Sequence, residues 1–290
     1  MSTSKILLLL ITCSLSSERQ KIEEKTITNL LKLRQQVKDS MDFVFFDNGS
    51  TLRKHLDLAK MDSRISFVES SVNLGLWSAV NWILENYENQ FGRKHQYIYI
   101  VESDLVHRAL SPIVNFPSFL AKYSKYSMVR TEEFSVRARW RYDKRLSFLP
   151  YPFHQEFSAI SLFNQVDGKK AYFRKVHGER RLYASNLHAK LPGFHSLARL
   201  KTVFRELRDL ENFAESDFFH SYQQLSREVA ILDRGIWRSS TSSKTNSESS
   251  ASWATPKYDS LGYLRTRSAR IYQYQSSNLR LISGDSCHDA

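Results

Sequence analysis

The sequence predicts an α/β fold built on a Rossmann-like, doubly wound, mainly parallel sheet with helices on both faces. Three apolar runs indicate it: residues 6–12 (ILLLLIT), 43–51 (FVFFDNGST) and 97–104 (YIYIVESD). Each run stops at small polar or acidic residues. Buried parallel strands form continuous apolar runs of this kind because helices cover both faces of the sheet. Segments with helical spacing separate the runs, an alternation typical of βαβ units.

The first strand is expected at residues 6–12, and a helix should follow it. The capping-box pattern Ser17-Glu18-Arg19-Gln20 predicts where this helix begins. Its apolar face is expected to carry Ile27, Leu30, Leu31 and Val37. A second strand at residues 41–46 ends in Asp47-Asn48-Gly49-Ser50, which favours a turn. A short polar helix is expected at residues 51–60.

The same alternation continues to residue 104. A third strand is expected at residues 65–69, and Asn73-Leu74-Gly75 then leads into another helix. Helical spacing places Trp77, Val80, Leu84 and Tyr87 on one face of that helix. The fourth strand, at residues 97–101, meets Glu102-Ser103-Asp104.

Beyond residue 104 the pattern becomes less regular. We expect a helix at 116–126, a strand at 127–130, β structure in 134–183, helical spacing in 191–210, a helix at 215–229 and a strand at 230–233.

Residues 239–252 (SSTSSKTNSESSAS) are too polar to fold alone. The predicted organisation is therefore a domain at 1–237 with halves at 1–105 and 106–237, a Ser-rich loop or linker at 238–257, and a tail at 258–290 that packs partly on the body.

Composition narrows the class of protein. The 290 residues are 41% hydrophobic and 25% charged, which is ordinary for a globular protein. The net charge of +12 collects in residues 137–145, 169–181 and 265–270 and favours an anionic partner. The cysteines, Cys13 and Cys287, form neither a disulfide framework nor a zinc spacing. We expect a cytoplasmic protein.

A membrane-spanning segment is not expected. Residues 6–13 contain an apolar stretch that is far shorter than the roughly 20 residues needed to cross a bilayer. Peripheral contact with a membrane remains compatible with the basic charge.

Polar residues at the strand ends form the candidate site. Right-handed crossovers bring the carboxyl ends of all four strands to one edge of the sheet, where such folds bind nucleotides. That edge should carry Thr12, Asp47, Asn48, Glu102 and Asp104. Two carboxylates spaced two residues apart suit Mg²⁺ or Mn²⁺, so Glu102 and Asp104 are candidate metal ligands. Asp47 or Asn48 would bind a base or ribose edge, or simply form an Asx turn.

Four motifs together resemble family 2 glycosyltransferases of the GT-A fold over about the first 105 residues. They are a first strand ending at Thr12, the run Asp47-Asn48-Gly49-Ser50-Thr51, the set Asn73, Gly75, Ala79 and Asn81, and the DxD-type motif Glu102-Ser103-Asp104. The resemblance implies a GT-A-type fold with a less regular acceptor-side region. It also implies a nucleotide-diphosphate sugar bound by Thr12, Asp47, Asn48, Ser50, Asn73, Gly75, Asn81 and Ser103, with Mg²⁺ or Mn²⁺ at Glu102 and Asp104.

A thinner resemblance reaches about residue 235. Glu215-Ser216-Asp217-Phe218-Phe219 is similar to the family's acidic helix start, which implies Glu215 as the catalytic base and Asp217 as the second acidic residue. Pro192-Gly193-Phe194 is similar to a small-residue turn near the sugar. The implied reaction is an inverting, metal-dependent transfer of a hexose-like sugar to an acceptor hydroxyl, with an anionic or lipid-linked acceptor. Glu stands at residues 102 and 215 where the family usually has Asp.

Three alternatives remain open from the sequence. A nucleotidyltransferase would use similar carboxylates, but it should carry a Gly-rich basic loop after the first strand, and residues 12–17 (TCSLSS) contain neither Gly nor Lys. A non-catalytic nucleic-acid-binding protein would explain the charge but not the acidic strand ends, so we do not expect a nucleic-acid partner. The third is a transferase that has kept the fold and lost activity.

Overall fold

The computed structural model describes residues 6–37, 40–60, 62, 64–92, 94–131, 174–187, 189–208, 215–239 and 279–282. The strands are β1 (Ile6–Thr12), β2 (Met41–Asn48), β3 (Ile65–Ser70), β4 (Tyr97–Glu102), β5 (Leu105–His107), β6 (Met128–Arg130), β7 (Arg174–Lys175), β8 (Leu182–Ser185), β9 (Gly193–Ser196), β10 (Val229–Leu232), β11 (Trp237–Ser239) and β12 (Leu279–Ile282). The helices are α1 (Ser17–Arg34), α2 (Lys54–Lys60), α3 (Leu76–Phe91), α4 (Phe116–Lys122), α5 (Leu197–Arg208) and α6 (Glu215–Leu225), and a 3₁₀ helix spans Ser111–Asn115.

One large sheet organises these elements. Its order among the described strands is β12-β3-β2-β1-β4-β9-β6-β10-β8-β7, and β11 pairs separately with β5. Strands β3, β2, β1 and β4 are mutually parallel. Strands β12, β9 and β8 run against their neighbours. The sheet is therefore mainly parallel, as the sequence predicts.

Helices cover both faces of this sheet. Along β1 the alternate residues Leu7 and Leu9 enter one apolar cluster, with Val80 of α3, Leu200 of α5 and Phe218 of α6. The intervening residues enter a second cluster on the opposite face, and that cluster receives side chains of α1 and α4. This two-sided burial explains why β1 is apolar at every position from Ile6 to Ile11, and it confirms the doubly wound α/β class.

The predicted apolar helix faces are confirmed except at Val37. Ile27 and Leu30 of α1 are buried with the second cluster, and Leu31 packs against it. Val37 is buried there too, but it lies in the turn beyond Arg34, where α1 ends, and is not on the helix face. On α3, Val80, Leu84 and Tyr87 are buried in the first cluster with Trp77 against them.

Two local predictions are wrong. Ser16, not Ser17, is the N-cap of α1, because its hydroxyl accepts a hydrogen bond from the Arg19 backbone N–H at 3.2 Å. Residues 191–210 are not helical throughout, since Gly193–Ser196 form β9 before α5 begins. Strand β9 pairs antiparallel with both β4 and β6. That pairing, which no local spacing reveals, overrides the helical pattern.

Some predictions fall outside the described residues. These are the basic patches at 137–145 and 265–270, most of the β-rich region 134–183, the Ser-rich segment and Cys287. The remaining basic patch, at residues 169–181, is described from residue 174 onward. Its Arg174 forms an ion pair with Glu228 at 2.8 Å. Within the tail, residues 279–282 add β12 to the sheet beside β3.

Candidate functional site

The polar strand ends meet at one edge of the sheet. Thr12 lies opposite Asp47 on β2, and Ile11 lies opposite Glu102 on β4. Because these three strands are parallel, β2 and β4 deliver their carboxylates to the same carboxyl edge on either side of β1. Asp104 follows two residues after Glu102. The predicted convergence is therefore present in the fold.

A turn after β2 fastens the loop that follows β1. The Asp47 carboxylate accepts a hydrogen bond from the Ser50 backbone N–H at 3.3 Å, which closes the turn. The Ser50 hydroxyl in turn accepts from the Ser14 N–H at 2.7 Å. Gly49 sits between them with φ of 75°, a conformation that glycine adopts without strain. The turn at residues 47–50 is thus hydrogen-bonded to Ser14 in the loop after β1, and we call this contact the first clasp.

Asn48 and Asn73 form a second set of hydrogen bonds between the loops, which we call the asparagine clasp. The Asn48 amide donates to the Asn73 side-chain oxygen at 3.1 Å and accepts from the Leu74 N–H at 2.8 Å. Asn73 also accepts from the Gly75 N–H at 2.9 Å and donates to the Cys13 sulfur at 3.0 Å. The amides therefore tie the loops after β1, β2 and β3 together just before α3 begins.

Burial alternates along the three residues of the candidate metal motif. Glu102 and Asp104 are half-buried, whereas Ser103 between them is only 3% exposed. The Ser103 hydroxyl donates to the Glu23 carboxylate at 2.9 Å and also accepts from the Arg19 guanidinium. The middle residue is therefore anchored inside the protein, while the residues on either side of it are only half-buried.

This carboxylate pair fits a hard divalent cation that is shared with a ligand. In the described part of the chain, no three His, Cys, Asp or Glu side chains are grouped as a cation site. Mg²⁺ is commonly held by one or two carboxylates, with waters and substrate phosphates completing its coordination. The donor set of Glu102 and Asp104 matches that arrangement.

Glu23 is a buried carboxylate that was not among the predicted site residues, and it contacts the middle residue of the motif. One oxygen of Glu23 accepts from the Cys13 N–H at 3.0 Å and from the Arg19 Nε at 3.0 Å, in addition to Ser103. Its second oxygen lies 3.3 Å from Nε2 of His55. Burial raises the pKa of Glu23 and lowers the pKa of His55. A signal was available, because Glu23 shares the apolar face of α1 with Ile27 and Leu30 at helical spacing.

Asp47 is also buried at this edge. Its side chain is fully buried, and burial raises the pKa of its carboxyl. Arg53, whose side chain is 45% exposed, places Nε 3.4 Å from the Asp47 carboxylate and Nη1 3.6 Å from that of Glu69. The guanidinium of Arg53, an exposed residue, therefore lies beside the carboxylates at the ends of β2 and β3.

The predicted donor-contact residues divide by exposure. Thr12, Asp47, Asn48, Ser50, Asn73, Asn81 and Ser103 are all buried. Gly75, which caps α3 with φ of 82°, is half-buried, as are Cys13, Gly49 and Trp77 beside it. Of the buried set, Thr12, Asp47 and Asn48 end their strands, Ser50, Asn73 and Ser103 lie in the loops, and Asn81 lies in α3. The assignment of each residue to a bound nucleotide stays a prediction.

Asn81 stands apart from the strand ends. It lies in the second turn of α3, is 2% exposed, and its side-chain oxygen has no hydrogen-bond partner among the described residues.

The candidate base belongs to a different helix. Glu215 is the first residue of α6, and Asp217 lies half-buried in the same first turn. The next residue, Phe218, is fully buried, and its ring centre lies 5.1 Å from that of Trp77 on α3. Phe204 of α5 packs against both rings. This aromatic contact holds α6 against the helix that follows the asparagine clasp.

A buried polar contact fixes the far end of α6. The Tyr222 hydroxyl lies 3.0 Å from Nδ1 of His195 on β9 and 3.0 Å from the Ser127 carbonyl. Nε2 of His195 lies 2.8 Å from the Leu191 carbonyl. Burial lowers the pKa of His195 to about 4, so the imidazole is neutral at pH 7. Gly193 and Phe194, expected in a turn near the sugar, are the first residues of the same strand.

No helix among the described residues combines the length and apolar character that a membrane crossing requires.

Comparisons with known proteins give structural neighbours only. No protein-family model matches the chain, and no curated protein matches it. The crystal structure of S. aureus TarS 1-349 has 14% sequence identity and a TM-score of 0.49, covering 81% of this chain and 60% of that one. The longer S. aureus TarS structure has 15% identity and a TM-score of 0.48, covering 82% and 37%. TarS 1-349 in complex with UDP has 14% identity and a TM-score of 0.47, covering 82% and 61%.

This chain therefore spans less than two thirds of each TarS chain. At these identities and TM-scores, its function has to be inferred from its own residues.

Proposed function

We propose that this chain is a glycosyltransferase of the GT-A type that moves a sugar from a nucleotide-diphosphate donor to an acceptor hydroxyl. The observation that carries the proposal is the arrangement at the end of β4, where half-buried Glu102 and Asp104 flank a buried, anchored Ser103. Glu102-Ser103-Asp104 is one of four sequence motifs that resemble family 2 transferases, and the other three begin at the end of β1, at the end of β2 and in the loop before α3.

The interlocked loops support a preorganised donor site. Residues after β1, β2 and β3 are joined by hydrogen bonds between side chains and backbone amides. A site held by such contacts orients a ligand without paying to order its own loops at the moment of binding. The donor would lie over the half-buried surface of these loops, with its diphosphate toward Glu102 and Asp104.

Glu102 and Asp104 would hold Mg²⁺ or Mn²⁺ there together with the donor phosphates. A bound divalent cation offsets the negative charge that develops on a departing diphosphate. Glu102 has one more methylene group than the usual Asp, so its carboxylate reaches about 1.5 Å further. We therefore assign the more direct contact to Asp104.

The proposed reaction is a direct displacement. Glu215 at the start of α6 takes the proton from the acceptor hydroxyl. The hydroxyl oxygen forms a bond to the anomeric carbon as the bond to the diphosphate oxygen breaks, and the configuration inverts. Asp217, in the same turn, orients the acceptor. The basic composition of the chain favours an anionic or lipid-linked acceptor and a peripheral position on the cytoplasmic side of a membrane.

Two substitutions test the proposal. Asp104→Ala should abolish Mn²⁺-dependent hydrolysis of a nucleotide-sugar and Mn²⁺-dependent thermal stabilisation by UDP, GDP, CDP or dTDP, because ligand binding to the folded form raises its stability. Glu215→Gln should keep the thermal shift and lose transfer. Asp57→Ala, an exposed acid on α2, is the matched control. Full turnover by Asp104→Ala would refute the metal assignment, and unimpaired transfer by Glu215→Gln would remove the proposed base.

If none of the four nucleotides stabilises the wild-type protein, with or without Mn²⁺, the glycosyltransferase proposal fails. Strongly salt-dependent binding to DNA or RNA would then favour a nucleic-acid-binding protein.

A further inference from the structure

Glu23, on the buried face of α1, contacts the two loops that begin at Cys13 and Ser103. We propose that Glu23 is a positioning residue, which acts through Ser103 to hold Glu102 and Asp104 in the arrangement that binds a divalent cation. This inference rests on the proposed function, since it assigns a purpose to a contact beneath the same site.

Three donors converge on one oxygen of Glu23. They are the Cys13 backbone N–H at 3.0 Å, the Arg19 Nε at 3.0 Å and the Ser103 hydroxyl at 2.9 Å. Cys13 directly follows β1, and Ser103 directly follows β4. A single carboxylate oxygen therefore joins the ends of two neighbouring strands at the site.

The position of Ser103 makes this contact relevant to the cation. Ser103 lies between the two candidate ligands, so a shift of its backbone moves both carboxylates together. The Arg19 guanidinium contacts Ser103 and Glu23 at the same time, which closes a triangle of three side chains. Charge-assisted hydrogen bonds of this kind are stronger than neutral ones and more restrictive in geometry.

Glu23 would not itself be a ligand of the cation. Its side chain is fully buried, one oxygen is occupied by three donors, and the other faces His55. Its influence on the cation must pass through the Ser103 hydroxyl, which distinguishes it from the ligands themselves.

Stability alone gives a weak reason to keep a carboxylate at this position. Removing a charge from water costs several kcal/mol, and replacing a buried ion pair with apolar residues is often neutral or stabilising. Glu23 and Arg19 lie four residues apart on α1, where an apolar pair would extend the face formed by Ile27 and Leu30. What the carboxylate adds is a fixed geometry for two loops.

The test measures loop order and cation binding separately. Hydrogen exchange of a peptide covering residues 102–105, without ligand, reports whether the loop is held. Electron paramagnetic resonance titration of Mn²⁺ in the presence of UDP reports cation binding without requiring turnover. Glu23→Gln should speed exchange in this peptide about ten-fold and weaken Mn²⁺ binding about ten-fold, corresponding to roughly 1.4 kcal/mol.

Ser103→Ala should reproduce both effects, because it removes only the hydroxyl that transmits them. This second variant also keeps the proposal falsifiable if Glu23→Gln fails to fold. In the double variant the Mn²⁺ effect should be no larger than in either single variant, since the residues act in series. Glu24→Gln, whose side chain accepts from Gln20 at 2.8 Å on the half-exposed side of α1, is the matched control and should change neither measurement.

Each outcome decides one question. Unchanged exchange and unchanged Mn²⁺ affinity in Glu23→Gln and Ser103→Ala would overturn the positioning role, while loss of Mn²⁺ in Asp104→Ala would leave the proposed function standing. Faster exchange with unchanged Mn²⁺ affinity would show that Glu23 orders the loop without serving the cation, and would also overturn the proposal. Wild-type protein that binds no Mn²⁺ would refute the cation site, and with it the purpose assigned to Glu23.

Discussion

The side-chain amide of Asn48 at the end of β2 donates a hydrogen bond to the side-chain oxygen of Asn73 at 3.1 Å, across 25 residues of sequence. Asn48 also accepts from the Leu74 N–H at 2.8 Å. One buried amide thus satisfies a donor and an acceptor of the loop that leads into α3. A carboxylate at this position could accept from Leu74 but could not donate to Asn73.

Asn48→Asp should therefore destabilise the protein. The new carboxylate would be buried against the Asn73 oxygen, and an unsatisfied buried polar group costs about 1–3 kcal/mol. Urea denaturation should show a loss of about 2 kcal/mol. Asn89→Asp, on the exposed side of α3, should cost less than about 1 kcal/mol. Equal stability of Asn48→Asp and the wild type would show that the asparagine clasp contributes little.

Gly49 separates the two clasps and has no room for a side chain. A Cβ at this residue would lie 2.4 Å from the Val72 carbonyl carbon and 2.5 Å from the Asn73 nitrogen, both backbone atoms. Gly49→Ala should therefore displace the loop before α3 and cost more than about 3 kcal/mol, well above the usual range for a point substitution.

Gly92 provides the matched control for this prediction. It also has a positive φ, 62°, but a Cβ there would meet nothing within 4 Å. Gly92→Ala should cost only the conformational penalty of about 1–2 kcal/mol. Urea denaturation of both variants separates the steric effect from the conformational one. Equal losses would contradict the close approach of Gly49 to residues 72 and 73.

The first half of the fold could be predicted because each strand carries its own signal. Residues 6–11, 43–46 and 97–101 are aliphatic or aromatic at every position, and turn chemistry such as Asp47-Asn48-Gly49 marks where a strand stops. Right-handed crossovers then determine which strand ends meet. The position of Glu102 and Asp104 beside β1 follows from these local patterns and a general rule.

The second half could not be predicted in the same way. Strand β9 is four residues long, and antiparallel pairing with β4 and β6 determines its structure. The Glu23 network joins residues 80 positions apart. The polar residue on an apolar helix face was visible in the sequence, but its partner Ser103 is specified only by the tertiary fold.

Buried neutral histidines should make stability fall with acid. His195 has its pKa lowered to about 4 and His107 to about 3, in both cases by burial, against 6.5 for an ordinary histidine. Between pH 6.5 and these values the unfolded chain binds more protons than the folded one, so the free energy of unfolding rises with pH. Each of these histidines should therefore lower the free energy of unfolding by about 2 kcal/mol when the pH falls from 7 to 5.

Comparison with His195→Gln isolates one of these contributions. Glu23 and Asp47 have raised pKa values and act in the opposite direction, but they are present in both proteins. The difference in unfolding free energy between pH 7 and pH 5, measured by urea denaturation, should be smaller in the variant by about 2 kcal/mol. An identical pH dependence would contradict the lowering of the His195 pKa by burial, because only a pKa that differs between the folded and unfolded chain contributes to it.

Trp77 should couple the donor side of the site to the helix that begins with Glu215. Its ring lies between α3, which follows the asparagine clasp, and Phe218 of α6, with ring centres 5.1 Å apart. Trp77→Ala removes the contact that sets the distance between these helices, and a displacement of about 1 Å in a reacting group can lower a rate about 100-fold. The loops that would bind the donor are held by other residues, so nucleotide binding should persist.

We therefore expect Trp77→Ala to keep the thermal shift produced by the stabilising nucleotide with Mn²⁺ while its transfer rate falls by about two orders of magnitude. Trp77→Phe retains a ring against Phe218 and should recover most of the rate, because it preserves the spacing of the helices. Loss of rate and nucleotide binding together would indicate that Trp77 supports the donor loops instead. A full rate in Trp77→Ala would show that the position of α6 does not depend on this contact, since Phe204 alone would then be enough to hold Phe218.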